Sequence, residues 1–485
     1  MKMSEDFMLG ASLSPFQFEG GFKGDEDPNN DWWVWVHDEE NIIAGLVSGD
    51  FPENGLGYWR LFKQDHDLAE KLGMSTLRLG VEWSRVFPKP TLDVEVSVER
   101  DEEGRVISIE VDEKAVEKLD ELANQEAVKH YIEMFSDWKN RGRKLIINLY
   151  HWPLPLWLHD PVKVRKHGPD RAPSGWLDEK SIIEFTKYAA YVAWKMKDLA
   201  DMWSTMNEPN VVYEQGYMFV KGGFPPGYLS LEAADKAKIN MVYAHARAYD
   251  AVKKITSKPV GLIYVLPYFE SLGGGDEALE GMKSGGIYEF LDLLSNGRSI
   301  RFTSTRKELA GRIDWLGVNY YSRVVFKIIN GKPITQWGYG FACTPGGVSK
   351  AGLPCSDFGW EIYPRGLYLL LKELASRYSG LELIVTENGV SDKTDRLRPS
   401  YLVSHLHNTL KAASEGVPVK GYLHWSLIDN YEWAQGFKQR FGLVMVDFET
   451  KKRYIRPSAL VFKEIALAKK IPEELMHLAN IETYL

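Results

Sequence analysis

The chain has 485 residues, 44% hydrophobic and 26% charged, with a formal net charge of −8. That is the make-up of an ordinary globular protein with room for a large core. The acidic balance gives no reason to expect nucleic acid or an anionic membrane as a partner. No uninterrupted apolar segment reaches spanning length, and the N-terminal "MKMSEDFMLGASLSPFQFEGG" lacks the apolar core of a signal peptide, so a cytoplasmic protein is expected.

From the N-terminus, the first predicted strand is 7–12 (FMLGAS), and the amphipathic segment "YWRLFKQDHDLAEKLG" leads to a second at 76–83 (TLRLGVEW). Residues 91–125 then break the pattern: "LDVEVSVERDEEGRVISIEVD" reads as a charged hairpin with Glu-Gly near its tip, followed by a polar helix, a surface insertion. Strand 145–152 (LIINLYHW), the helical "SIIEFTKYAAYVAWKMKDLA" and strand 202–208 (MWSTMNE) follow. Further strands are predicted at 259–266, 313–321, 381–387 and 419–427, with a Gly- and Pro-rich excursion at 322–360 that is expected to help wall a site. Eight short apolar runs alternating with helices suggest strands covered on both faces, in a single (β/α)₈ TIM barrel spanning 1–485.

In such a barrel the site forms where strands end and loops begin. The predicted ends carry Arg78 and Glu82 on the second strand, His151 and Trp152 on the third, and Asn207 and Glu208 on the fourth. Asn319 and Tyr321 fall on the sixth, Glu387 on the seventh and Trp425 on the eighth. Buried charge is costly without a partner, so Glu208 and Glu387, facing each other from strands four and seven, need a reason. Two carboxyls flanking a sugar-sized gap suit glycosidic cleavage, with other barrel chemistries open on the residues alone. Sixteen tryptophans, many beside polar residues as in "NLYHWPLPLWLH", suit a ligand part apolar and part polar, although core packing explains most of them.

Other signals read as structure. Glu82 and Arg85 are expected to form a strand-end ion pair, and Cys343 and Cys355 to be small core residues rather than a disulfide. His405 and His407 lie two apart on a helix and point in different directions, so no metal pair is expected. With no HExxH, cysteine cluster or phosphate-binding glycine loop, no cofactor is expected.

Nine short motifs then fall in a familiar order: "FQFEG", "RLGVEWSR", "LYHWPLP", "STMNEP", "GVNYYSR", "GWEIYP", "VTENG", "HWSLIDNYEW" and "RFGL". By these the chain resembles the family 1 glycoside hydrolases over essentially its whole length. "DWWVWVHDEENIIAGLVSGDFPENG" and "GGFPPGYLS" resemble the β-glycosidases of hyperthermophilic archaea in particular.

The resemblance implies retention of configuration by double displacement, with Glu387 as nucleophile and Glu208 as acid, then base. Arg78 and Tyr321 would keep Glu387 ionised, and its charge would raise the pKa of Glu208. Gln17, His151, Asn207, Glu432 and Trp433 would bind sugar hydroxyls, Trp425 would lie beneath the ring, and Trp152 close beside it. Asn319 is taken with these substrate contacts. Trp360 would line the leaving-group entrance, near Phe441. Trp433 followed by Ala434 departs from the family's phosphosugar branch, so unphosphorylated glucosides or galactosides are expected, with fucosides and mannosides left open. Arg365 stands where the family more often has Glu, and bears on the outer surface or an oligomer contact more than on chemistry. The resemblance also implies a heat-stable homotetramer, active above about 70 °C. A catalytically dead sugar-binding relative is the alternative, against which both glutamates stand.

Overall fold

Eight parallel strands close on themselves in the computed structural model, which describes residues 2–480. They are β1 (Met8–Ser12), β2 (Thr76–Gly80), β3 (Lys144–Asn148) and β4 (Met202–Asn207). β5 (Val260–Val265), β6 (Trp315–Asn319), β7 (Glu382–Asn388) and β8 (Val419–His424) complete the barrel. Each strand pairs with its neighbours in chain order, and β1 closes the ring against β8. One long helix follows each strand, from Tyr58–Lys71 after β1 to Pro457–Ala468 after β8. This is the (β/α)₈ barrel.

Six of the strands end before the apolar runs predict, whereas β1 ends at Ser12 as expected and β7 runs one residue further, to Asn388. Residues 81–83, 149–152, 320–321 and 425–427 have left the ladder, although Trp83, Leu149, Tyr320 and Leu427 are buried. The turns and loops that follow the strands stay under the outer helices: Trp83 stacks on Tyr188 of the helix Lys180–Met196, and Tyr320 meets His405 of the helix Arg398–Ser414. An apolar run reports burial, which continues into those loops after ladder pairing has stopped.

Two apolar layers hold the barrel. The larger lies between strands and helices. The smaller, Met8, Ile146, Ile263, Trp315, Ile384 and Leu423, fills the inside below the mouth. Trp315 needs space there, and Gly261 on the adjoining strand gives it: a Cβ at that glycine would lie 2.4 Å from the Trp315 ring.

The 91–125 segment folds as an antiparallel hairpin, Ser97–Arg100 with Val106–Glu110, and then a helix, Glu113–Leu122, capped by Asp112. At its tip Asp101 accepts hydrogen bonds from Arg105 at 2.9 Å, within the hairpin, and from Arg306 at 2.8 Å, which ties the hairpin to the barrel's flank. The 322–360 excursion holds a second hairpin, Arg323–Ile329 with Lys332–Thr335, extended by Tyr268–Leu272 into a three-stranded sheet. Beyond it Cys343 and Cys355 form a disulfide with Cα atoms 6.3 Å apart. This corrects the expectation of two unlinked core residues: only Cys355 is buried, and the loop between them doubles back through the Val348–Pro354 bridge. Among the described residues, no helix is long and apolar enough to cross a membrane.

Candidate active site

The mouth of the barrel is polar because four strand side chains, three at or near strand ends and one mid-strand, converge through hydrogen bonds. Arg78 lies mid-strand on β2, Asn207 and Asn319 end β4 and β6, and Glu387 is the penultimate residue of β7. All four are buried. Glu208 comes one residue after β4 and precedes the helix Pro209–Tyr217, with a left-handed backbone of φ 48°. Trp152 and Trp433 also have positive φ, 93° and 50°. Such a backbone costs roughly 1–3 kcal/mol per non-glycine residue and persists where surroundings impose it, often at functional sites. Ladder irregularities accompany both acids: the register slips between Ser204 and Asn207 on β4, and between Val385 and Glu387 on β7.

One hydrogen-bonded chain links the two carboxyls. Arg78 donates from Nη2 to Glu387 Oε1 at 2.5 Å and from Nη1 to Asn207 Oδ1 at 2.7 Å. Tyr321 Oη donates to Glu387 Oε2 at 2.5 Å. Asn319 Nδ2 donates to Glu208 Oε1 at 2.6 Å and to Asn207 Oδ1 at 3.1 Å. Asn207 Nδ2 in turn faces His151 Nε2 at 3.1 Å.

Burial raises the pKa of both glutamates. Arg78 and the Tyr321 hydroxyl then pull Glu387 back down. Glu208 is pushed further up by the charge of Glu387, against which the Asn319 amide and the more distant Arg78 act, and it stays well above the usual carboxylate range. The cation and the phenol thus favour the charged form of Glu387, and the neighbouring negative charge favours the protonated form of Glu208. Burial holds Tyr321 well above the usual phenol range, so it stays a donor. Burial, with Arg78 nearby, keeps His151 neutral. Glu432, on the half-buried wall, is pushed up to about 8 by burial and by Glu387.

Around this chain stand the other expected contacts. Gln17 accepts from Ser14 at 2.7 Å and donates to Asn430 at 3.0 Å and Glu432 at 3.4 Å, which joins the first loop to the last. Trp152 Nε1 donates to the Asn207 carbonyl at 2.9 Å. Trp433 packs against Trp152, with centroids 4.4 Å apart, and stacks on Phe16 at 5.4 Å. Trp425 lies 6.1 Å from the His151 ring. Trp360 and Phe441 form an outer group with Tyr321, which is 5.3 Å and 6.2 Å from them respectively. The structure thus gathers the expected residues in one place. Asn319, expected among the substrate contacts, commits its amide to Glu208 and Asn207.

Several neighbours were not foreseen. Trp32 and Phe224 back Trp433 and Trp152, and Phe358 stacks on Trp360 at 4.3 Å. Trp32 lies on the short helix Asp31–His37 and Phe224 and Phe358 in loops, and although Trp32 and Phe224 fall within stretches that resemble the archaeal enzymes, nothing there singles out these rings from their neighbours. The Glu82–Arg85 pair is corrected. Arg85 Nε donates to Glu19 Oε2 at 2.7 Å, whereas Glu82 Oε2 has no hydrogen-bond partner among the described residues. Burial, with Asp27 and Glu19 nearby, raises the pKa of Glu82 well above the usual range, so the neutral acid needs no cation. Among the described residues, no group of three or more His, Cys, Asp or Glu is placed to hold a metal ion.

This arrangement has known counterparts. The model of glycosyl hydrolase family 1 matches residues 1–96, 120–277 and 286–471, and the first unmatched stretch contains the inserted hairpin. A β-galactosidase of Saccharolobus solfataricus is 50% identical over 478 residues, covering 98% of this chain and 97% of the relative. The crystal structure of the β-glycosidase from the hyperthermophile Thermosphaera aggregans is similar at TM-score 0.98 and 70% identity, over 99% of both chains. A β-glucosidase mutant derived from a hyperthermophilic tetrameric structure is similar at TM-score 0.94 and 57% identity, covering 100% of this chain and 99% of its own.

Proposed function

The chain belongs to glycosyl hydrolase family 1, and on that premise we propose that this retaining β-glycosidase divides its double displacement between Glu387 and Glu208. Glu387 attacks the anomeric carbon while Glu208 protonates the departing oxygen. Forming the ester removes the charge on Glu387. After burial, that charge is the largest cause of the raised pKa of Glu208; with it gone the pKa falls, and Glu208 becomes the base that activates water. The observation that carries this reading is the unequal company of the two acids: a guanidinium and a phenol on Glu387, an amide on Glu208.

The reading extends to exo action on terminal β-glucosides and β-galactosides, with Gln17, His151, Asn207, Glu432 and Trp433 on the glycone hydroxyls. Trp425 and Trp152 flank the ring, and Trp360 with Phe441 lines the leaving-group side. Support comes from their shared wall and from relatives named for both sugars. A cytoplasmic, heat-stable homo-oligomer acting as one domain belongs to the same proposal.

The test is the anomer released first from an aryl β-glycoside, followed by ¹H NMR. A β-sugar is expected, and an α-sugar would overturn retention. Turnover across aryl glucoside, galactoside, fucoside and mannoside then fixes the glycone, and a 6-phosphorylated substrate should be hydrolysed much more slowly than its parent.

A further inference from the structure

Thr386 stands one residue before Glu387, where strand alternation would turn it to the opposite face. The ladder slips at that point. Val385 pairs with Val318 and Glu387 with Asn319, so Thr386 is the unpaired residue of a bulge. Bulges beside sites re-aim side chains. Here the fully buried hydroxyl of Thr386 donates to Asn319 Oδ1 at 2.7 Å, and its carbonyl accepts from Ser12 Oγ at 2.5 Å. Gly317 leaves the room required: a Cβ there would lie 2.8 Å from Thr386 Oγ1.

With Oδ1 of Asn319 engaged by Thr386, the amide nitrogen faces the other way, toward Asn207 Oδ1 and Glu208 Oε1. Asn207 Oδ1 already accepts from Arg78, so it demands a donor from Asn319. Glu208 Oε1 is therefore an acceptor as well, and a proton on Glu208 has to sit on Oε2.

We propose that Thr386 is a positioning residue for acid/base catalysis, acting through Asn319 to keep Glu208 Oε1 an acceptor and so confine the acidic proton to Oε2. Oε2 is the oxygen to which no described residue donates, and it is left for the leaving group. The proposal rests on Glu208 being the acid/base.

Thr386→Val keeps the shape, removes the hydroxyl and strands Asn319 Oδ1. On alkyl glycosides and disaccharides kcat/KM should fall about tenfold, the worth of roughly one buried hydrogen bond, while nitrophenyl glycosides lose less than about twofold. The alkaline limb of the kcat/KM profile should move to higher pH, because loosening Asn319 withdraws a bond that lowers the pKa of Glu208. Thr386→Ser should restore both properties, and Thr386→Ala provides a second hydroxyl-free variant if Val misfolds. In a Glu208→Ala background, Thr386→Val should no longer distinguish leaving groups. An equal loss on every leaving group with an unmoved alkaline limb would leave Thr386 a merely structural residue. If Glu208→Ala discriminates leaving groups and Thr386→Val does not, this proposal alone fails. If Glu208→Ala does not discriminate either, the acid/base assignment fails with it.

Discussion

The ends of β4 and β7 each present a glutamate, 5% and 3% exposed, and the two differ almost only in what surrounds them. At β7 a guanidinium and a phenol hold both carboxylate oxygens. At β4 one amide holds one oxygen, and the neighbouring charge is negative. Identical side chains at nearly equal depth thus meet opposite electrostatic surroundings, one drawn down by a cation and a phenol, the other pushed up by a neighbouring carboxylate. Roles can therefore be assigned by counting donors and charges, without reference to position in the barrel.

The sharpest way to break the comparison is to remove one acid at a time. Glu387→Gly should lower kcat by on the order of 10⁴-fold or more while the protein stays folded by circular dichroism. Formate or azide should enter the gap and restore part of the turnover, with azide giving the α-glycosyl azide. Near-normal hydrolysis by a folded variant would remove the nucleophile from β7.

Glu208→Ala should cost about 10²- to 10⁴-fold on alkyl glycosides and disaccharides, whose leaving groups need a proton. A nitrophenolate leaves unaided, so glycosylation should survive with activated aryl substrates and deglycosylation should become limiting. A burst of phenol, a lowered KM and the β-glycosyl azide are the signatures to measure. Equal losses on both leaving-group classes, with no response to azide, would mean that the strand ends are not divided as proposed.

Tyr321→Phe makes the surroundings of Glu387 more like those of Glu208. The phenol lowers the pKa of Glu387, so its loss should raise that pKa and move the acid limb of kcat/KM to higher pH. The fall at the optimum should be about tenfold to a hundredfold, the range for a hydrogen bond to a charged group. An unmoved acid limb would show that Arg78 alone sets the charge of Glu387.

Much of this was legible in the sequence, for reasons that also mark its limits. The barrel follows from eight apolar runs, because strands covered on both faces need them. The acids stand out because Glu208 and Glu387 are charges at the ends of such runs. Motif order adds Gln17, on a single helical turn (Pro15–Phe18), and Trp360 and Glu432, in loops, none of which has periodicity to mark it. Pairing across the chain is less visible. Arg85 pairs with Glu19, 66 residues away, and not with Glu82, three residues away, because the fold brings Glu19 Oε2 within 2.7 Å of its Nε. The Cys343–Cys355 bond depends on how one loop doubles back, and the bulge that turns Thr386 toward Asn319 leaves no mark on the alternation of "LIVTEN".

The finest adjustment of the comparison comes from a third acid. Glu432 lies outside the strand ends, half-buried, with a single long hydrogen bond from Gln17 at 3.4 Å. Burial and the charge of Glu387 push its pKa up to about 8, so it is neutral in the empty site at pH 6 and charged at pH 10. Once ionised, it adds to the negative field that raises the pKa of Glu208. Glu432→Gln keeps the shape and removes that charge at every pH. Glu208 should then lose its proton more easily, and the alkaline limb of kcat/KM should move to lower pH by about a few tenths of a unit, since Glu432 is the weakest of the contributors. This is opposite to the shift expected for Thr386→Val. Activity at neutral pH should fall about tenfold or less through lost sugar contacts. A glycone-dependent loss with no displacement of the alkaline limb would make Glu432 a sugar contact only. A limb displaced upward would contradict the charge ordering from which the different roles of β4 and β7 were derived.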